Sequence, residues 1–262
     1  MREVLAVVGT RPELIKTAPV LRVLDASPET TPRLLHTGQH YDDELSGDFF
    51  DTLGLPEPAV NLDIGSRSAA AQIADGLVGI DAELRDRDPA ALLAQGDTNT
   101  VLSAALAGAK SNATVGHIEA GLRSFDRSMP EAVNRVVADH LATLLFAPTA
   151  EAVENLATEG IEEGVVETGN TVVDACCEHA DIARKPSDSL VRFGVDEDGF
   201  ALATVHRPGN TDDPDRLRTI LETLDDASVP VVLPAHPRTR TAADDLGFRA
   251  ESRARKLYVS TR

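Results

Sequence analysis

Cysteine is nearly absent from this chain of 262 residues, which has only Cys176 and Cys177, side by side. Adjacent cysteines are poorly placed to bond each other, and their spacing matches no zinc site. A disulfide framework and a structural metal site are therefore not expected, and the pair reads as buried helix residues of a reduced, intracellular protein. Basic residues are also few: 25 Lys and Arg face 43 Asp and Glu, for a net charge of −18. That balance excludes a nucleic-acid-binding surface, which needs a basic stripe. It suits a protein kept soluble in a salty cytoplasm. Long apolar runs are missing too. The opening MREVLAVVGT holds a short one that ends in Gly-Thr, too brief for a secretory signal, and no run approaches the length of a membrane span.

What the chain does have is alternation. Hydrophobic residues make up 42% and charged residues 26%, enough for a real core, and the length suits two α/β domains of modest size. Short runs with apolar centres, such as VLAVVG (4–9), PRLLHTG (32–38), AALLAQGD (90–97) and LLFAPT (144–149), alternate with longer amphipathic segments, among them a helix expected over 42–54. This pattern predicts a parallel, doubly wound sheet of about seven strands, with helices on both faces, over residues 1–171.

After Asn170 a helix, TVVDACCEHADIAR, leads into KPSDSLVRFGVDEDG (185–199), which reads as a linker. A second α/β unit then starts with FALATVHRPGN, DPDRLRTILETLDDA and VPVVLPAHPRT. Residues 172–262 are thus expected to form a second, incomplete domain. The last fifteen residues carry five basic residues (Arg249, Arg253, Arg255, Lys256, Arg262) and one acid, Glu251. From about residue 246 the chain reads as out-of-frame sequence in preference to a basic interaction tail.

In open α/β sheets ligands bind beyond the carboxyl ends of the strands. The segments GTRPELIK, TGQH, QGDTNT, HIEAGLRS and TGN fall there. They would gather Arg11, Lys16, Gln39, His40, Asp97, His117, Glu119, Arg123 and Asn170 on one rim, where helix N-termini favour an anion such as a diphosphate. Ordinary roles are open to some of these residues. Asp97 could cap the helix that starts near Thr98, and Glu131, after Pro130, could be a first-turn acid. Three carboxylates and several cations converging on the same strand ends exceed what capping requires.

Eight segments, VGTRPELIKTAPV, TGQH, QGDTNT, HIEAGLRS, PEAVNR, TGNTVVD, VHRPGN and PAHPRT, occur in this order between residue 3 and about residue 240. Together they resemble the signature segments of the non-hydrolysing UDP-N-acetylglucosamine 2-epimerases. The resemblance implies two Rossmann-like domains in the glycosyltransferase-B arrangement, the second incomplete here, with the active site in the cleft between them. It also implies a cytoplasmic homodimer that interconverts UDP-N-acetylglucosamine and UDP-N-acetylmannosamine for polysaccharide synthesis, with no redox cofactor and no essential metal.

The implied reaction is anti elimination of UDP to a 2-acetamidoglucal, then syn re-addition after C2 is reprotonated from the other face. Two different groups serve opposite faces most simply, and burial can lift a carboxyl toward the neutral range this work needs. By resemblance the catalytic acids are Asp97, Glu119 and Glu131. Arg11, Arg135 and His206, with Asn170, hold the nucleotide sugar, and a regulatory substrate site corresponds to Lys16, Gln39, His40, Arg67 and His236. Two departures stand out. HRPGN has Gly209 where an acid is common, and the Ser-Gly-Gly segment that holds uridine in the family does not occur in this chain. Weak or absent turnover is therefore expected of these residues alone. The alternatives are a hydrolysing relative that releases free N-acetylmannosamine, and a non-catalytic fragment.

Overall fold

The structure, a computed structural model, describes residues 1–39, 50, 53–183, 189–205, 207–248 and 257–260. The chain divides into two compact units, Met1–Asp181 and Ile182–Arg262. The first holds β1 (Arg2–Val8), α1 (Arg11–Ala26), β2 (Thr30–His36), β3 (Val60–Asn61), α2 (Ala69–Arg87), β4 (Ala91–Gln95) and α3 (Asn99–Gly108). It continues through β5 (Thr114–Ile118), α4 (Pro130–Leu141), β6 (Leu144–Ala147), α5 (Ala150–Thr158), β7 (Val165–Glu167) and most of α6 (Thr171–Ala183). The helix expected over 42–54 lies almost wholly outside the described residues.

The seven strands pair in the order β3-β2-β1-β4-β5-β6-β7, every pair parallel, as the apolar runs predict. β1 shows why. Val4 to Val8 are all buried, with no alternation to a wet face. Leu5 and Val7 pack with Ile80 and Leu84 of α2 and Val101 of α3. Ala6 and Val8 pack on the other side with Leu14, Ala18 and Leu21 of α1. Each leucine buried this way contributes about 2 kcal/mol of transfer free energy. Strand order reverses beside β1, which sets a topological switch point between the ends of β1 and β4.

The second unit holds α7 (Ser189–Phe193), β8 (Ala201–Leu202), α8 (Pro208–Thr211), α9 (Pro214–Asp225), β9 (Val231–Pro234), α10 (Pro237–Asp245) and β10 (Leu257–Ser260). Its three strands are parallel in the order β10-β9-β8.

Three readings of the sequence change. The segment 185–199 is not only a linker, since it contains α7, where Phe193 meets Tyr258 edge-on at a ring separation of 6.4 Å. The basic tail includes a strand: Leu257 and Val259 of β10 are buried with Val231 and Leu233 of β9, and Asp225 accepts the Leu257 N–H at 3.1 Å. Cys176 and Cys177 are exposed and free, not core. A helix turns about 100° per residue, so the stripe that buries Ala175 leaves its next two neighbours facing outward. No helix among the described residues is long and apolar enough to cross a membrane.

Candidate active site

The switch point is clamped by a residue the sequence reading passed over. Glu13, in the first turn of α1, is 4% exposed. One carboxylate oxygen accepts the Gly9 and Thr10 N–H groups at 2.7 and 2.9 Å, the carboxylate half of a capping box. The other accepts the Thr98 hydroxyl at 2.5 Å across the switch point. Thr98 is the N-cap of α3, yet its hydroxyl makes no cap bond there. Glu13 therefore ties the turn after β1 to the turn after β4. The spacing Thr10-x-x-Glu13 is the sequence signal that could have found it.

Burial pushes the Glu13 carboxyl up to about 7, partly opposed by its hydrogen bonds to Thr98, Gly9 and Thr10. Its folded pKa lies above the unfolded one, so between about pH 4.5 and pH 7 the folded state holds the extra proton. Stability should fall by on the order of 3 kcal/mol as pH rises through that window, then level off. Gln at this position keeps all three bonds, its amide nitrogen donating to Thr98. Denaturant unfolding of Glu13→Gln and wild type from pH 5 to pH 8 should show a gap in the variant's favour that opens with pH. Parallel curves would rule out this reading of Glu13.

Beyond the switch point Arg135 links Asp97 to the Glu119 backbone, and Asp97 shares a cavity with Glu131 that Glu119 does not line. Glu119, at the end of β5, is 5% exposed and meets the Lys16 ammonium at 2.9 and 3.2 Å. Gln95 reaches toward it at 3.4 Å and is itself fixed by Thr17 at 2.9 Å and Thr171 at 2.7 Å. Glu119 has φ of 68°, a left-handed conformation for a residue with a side chain. Such strain costs on the order of 1 kcal/mol or more and clusters at functional sites. The Arg135 guanidinium donates to the Glu119 carbonyl and, at 2.5 Å, to the Asp97 carboxylate. Asp97 is thus an ion-pair partner in place of a helix cap. Asn134 holds the Asp97 carbonyl at 3.0 Å. Glu131 stands exposed in the first turn of α4 and, with Asp97 and Arg135, lines a cavity of 690 Å³.

A second set of charges lies beneath this one. His117 bonds Asp139 at 2.6 Å through Nδ1 and the Gly96 carbonyl at 2.8 Å through Nε2. Asp139 also accepts the Gly121 N–H at 3.1 Å and an Arg123 N–H at 2.7 Å. Burial acts to raise the Asp139 carboxyl, but bonds and charge from His117 and Arg123 outweigh it and hold the group below the usual range. Arg123 forks onto Glu159 with two bonds of 2.8 and 2.7 Å. Glu131, Arg135 and Asp139 are spaced by four, so one face of α4 carries all three.

A family model described as UDP-N-acetylglucosamine 2-epimerase matches residues 22–259. The chain belongs to that family. It is 42% identical over 241 residues to the UDP-N-acetylglucosamine 2-epimerase of Methanocaldococcus jannaschii, covering 89% of this chain and 66% of that protein. It is 39% identical over 256 residues to the UDP-2,3-diacetamido-2,3-dideoxy-D-glucuronate 2-epimerase of Pseudomonas aeruginosa, covering 95% of this chain and 71% of that one. The crystal structure of the M. jannaschii UDP-GlcNAc 2-epimerase in complex with UDP-GlcNAc and UDP aligns with a TM-score of 0.84 at 38% identity. It covers 99% of this chain and 73% of that one. The chain therefore spans about two thirds of the length of these epimerases, and its two parallel-sheet units have the fold class of the family.

The other residues expected in an epimerase site have distinct surroundings. Arg11 is the first residue of α1, half-buried beside the switch point. Asn170 accepts the Val172 N–H at 3.0 Å and so shapes the start of α6. Lys16, expected at a regulatory site, is the cation on Glu119. Gln39 is buried and accepts the Thr100 N–H at 3.1 Å and the Thr100 hydroxyl at 2.9 Å. Arg67 pairs with Asp75 on the surface, and His236, in the second unit, caps α10 by accepting the Arg238 N–H at 3.3 Å. His40 and His206 lie outside the described residues.

Proposed function

We propose that the protein interconverts UDP-N-acetylglucosamine and UDP-N-acetylmannosamine. One observation carries the reading: Asp97 and Glu119 leave adjacent parallel strands and are bound by the same Arg135, and Asp97 shares a cavity with Glu131, in a chain of the epimerase family. In the first step a carboxylate takes the C2 proton while the C1–O bond breaks and UDP departs, leaving 2-acetamidoglucal. In the second, a carboxylic acid returns a proton to the opposite face of C2, and UDP adds back at C1. Asp97, Glu119 and Glu131 are the proposed proton-transfer groups. Arg11 at the positive end of α1, Arg135 and His206 are the proposed partners of the diphosphate, whose charge grows as it leaves. Asn170 is a further proposed substrate-binding residue.

Work as a cytoplasmic homodimer belongs to the same proposal, as does a regulatory substrate site at Lys16, Gln39, His40, Arg67 and His236. Of these residues, Lys16 already pairs with Glu119, and Gln39 accepts from Thr100. The test is product analysis after incubation with UDP-N-acetylglucosamine. At the full length of the relatives the manno epimer of the nucleotide sugar is expected, and from these residues alone weak or absent turnover; free N-acetylmannosamine with UDP would instead assign the hydrolysing reaction, and a transferred sugar would overturn both. The Pseudomonas relative supports one further reading, a sugar substituted at C3 and carrying a carboxylate. A competition between UDP-N-acetylglucosamine and that diacetamido uronate separates the two.

A further inference from the structure

His117 is buried at 1% exposure inside β5, and both of its ring nitrogens face acceptors. A carbonyl oxygen can only accept, so Nε2 carries hydrogen toward Gly96. Nδ1 meets one oxygen of Asp139, whose other oxygen accepts from Gly121 and Arg123. The ring joins a set in which Arg123 is the cation and Asp139 and Glu159 are the anions.

The ends of this set reach two turns. Gly96 has φ of 95° and gives its N–H to the Ile118 carbonyl at 3.1 Å, while its own carbonyl takes the His117 bond. That carbonyl belongs to the peptide that leads into Asp97. On the other side Asp139 grips the N–H of Gly121, two residues past Glu119. Gly121 has φ of 78°, and a Cβ there would fall 2.2 Å from the Ala152 carbonyl. One hydrogen-bonded pair, His117 and Asp139, therefore holds both strand exits that carry the proposed catalytic acids.

We propose that His117 is a positioning residue that sets the Asp97 carboxylate against Arg135 by holding the Gly96–Asp97 peptide. The inference rests on the epimerase reading for its consequence in turnover, and on the hydrogen bonds alone for its geometry. Two variants divide the roles of the ring. The amide nitrogen of Gln can take the place of Nε2 and still donate to Gly96, while Asn stands near Nδ1 and keeps only the contact with Asp139.

The experiment uses the full chain. Wild type and variants are labelled uniformly with ¹⁵N. The Asp97 amide and the Arg135 guanidinium signals should stay in place in His117→Gln and move in His117→Asn. If both variants move them equally, His117 is only a packed residue and the proposal fails. In epimerase assays His117→Asn should lose on the order of 10²-fold in kcat with little change in KM, the scale of an ångström-sized misplacement, and His117→Gln should stay within about threefold of wild type. Weak or absent turnover is expected of these residues alone, so where the wild-type chain makes no manno epimer the nuclear magnetic resonance signals decide the role of His117.

Discussion

At the full length of its relatives, Glu119→Gln is expected to lower epimerase turnover by on the order of 10²-fold or more, the usual scale for losing an acid–base group. The change removes one charge and no volume. The left-handed backbone at Glu119 is held through its carbonyl by Arg135, which the substitution leaves untouched, so folding should be retained. Lys16 would be left facing an amide, and its 30% side-chain exposure lets water take over part of the lost pairing. Glu131→Gln should show a similar loss in turnover with a smaller effect on stability, since Glu131 is already exposed. Steady-state rates with UDP-N-acetylglucosamine, set beside unfolding curves, separate the two effects. Near-wild-type turnover in either variant would make that residue a charge partner only.

The largest effect on stability is expected at Asp139. Its side chain is fully buried and serves His117, Arg123 and the Gly121 N–H together. Removing one member of such a set strands the others, and Asp139→Ala should cost about 3–5 kcal/mol in denaturant unfolding at pH 7. The pH dependence follows from the direction of the shift. The folded pKa is depressed, so the stability it supplies is present above the ordinary carboxyl range and lost as pH falls through the folded value. The gap between wild type and variant should hold from pH 8 down to about pH 4 and narrow only in more acid solution. A gap that closes near neutral pH would show that Asp139 carries its proton in the fold.

Much of this architecture is legible in the chain because parallel strands buried on both faces leave unbroken apolar runs. VLAVVG and LLFAPT need no partner in view to be read as strands. Residues at strand ends are legible for the same reason, and Asp97, Glu119 and Arg135 do meet. Side-chain partners are a different matter. Nothing in TGQH says that Gln39 turns inward to the start of α3, and nothing in ELIK says that Lys16 reaches a glutamate more than a hundred residues away. Such bonds depend on which strands lie side by side, which local sequence does not specify. Composition misled at the tail, where basic residues surround a four-residue strand whose alternate side chains are buried. The cysteines show a smaller version of the same limit: residue type favours burial, but the phase of the helix decides it.

The face of α4 that carries Glu131, Arg135 and Asp139 sets a limit on how this chain can vary in length. Each side chain serves a different part of the site: the cavity, the pair of strand exits, and the charge set under them. Adding or deleting one residue between Arg135 and Asp139 would swing one of them about 100° around the axis and shift it about 1.5 Å along it. No rotamer recovers such a change. The helix can accept new residues on its outer face, but its count from Glu131 to Asp139 is fixed, and insertions belong in the loops before Pro130 and after Leu141.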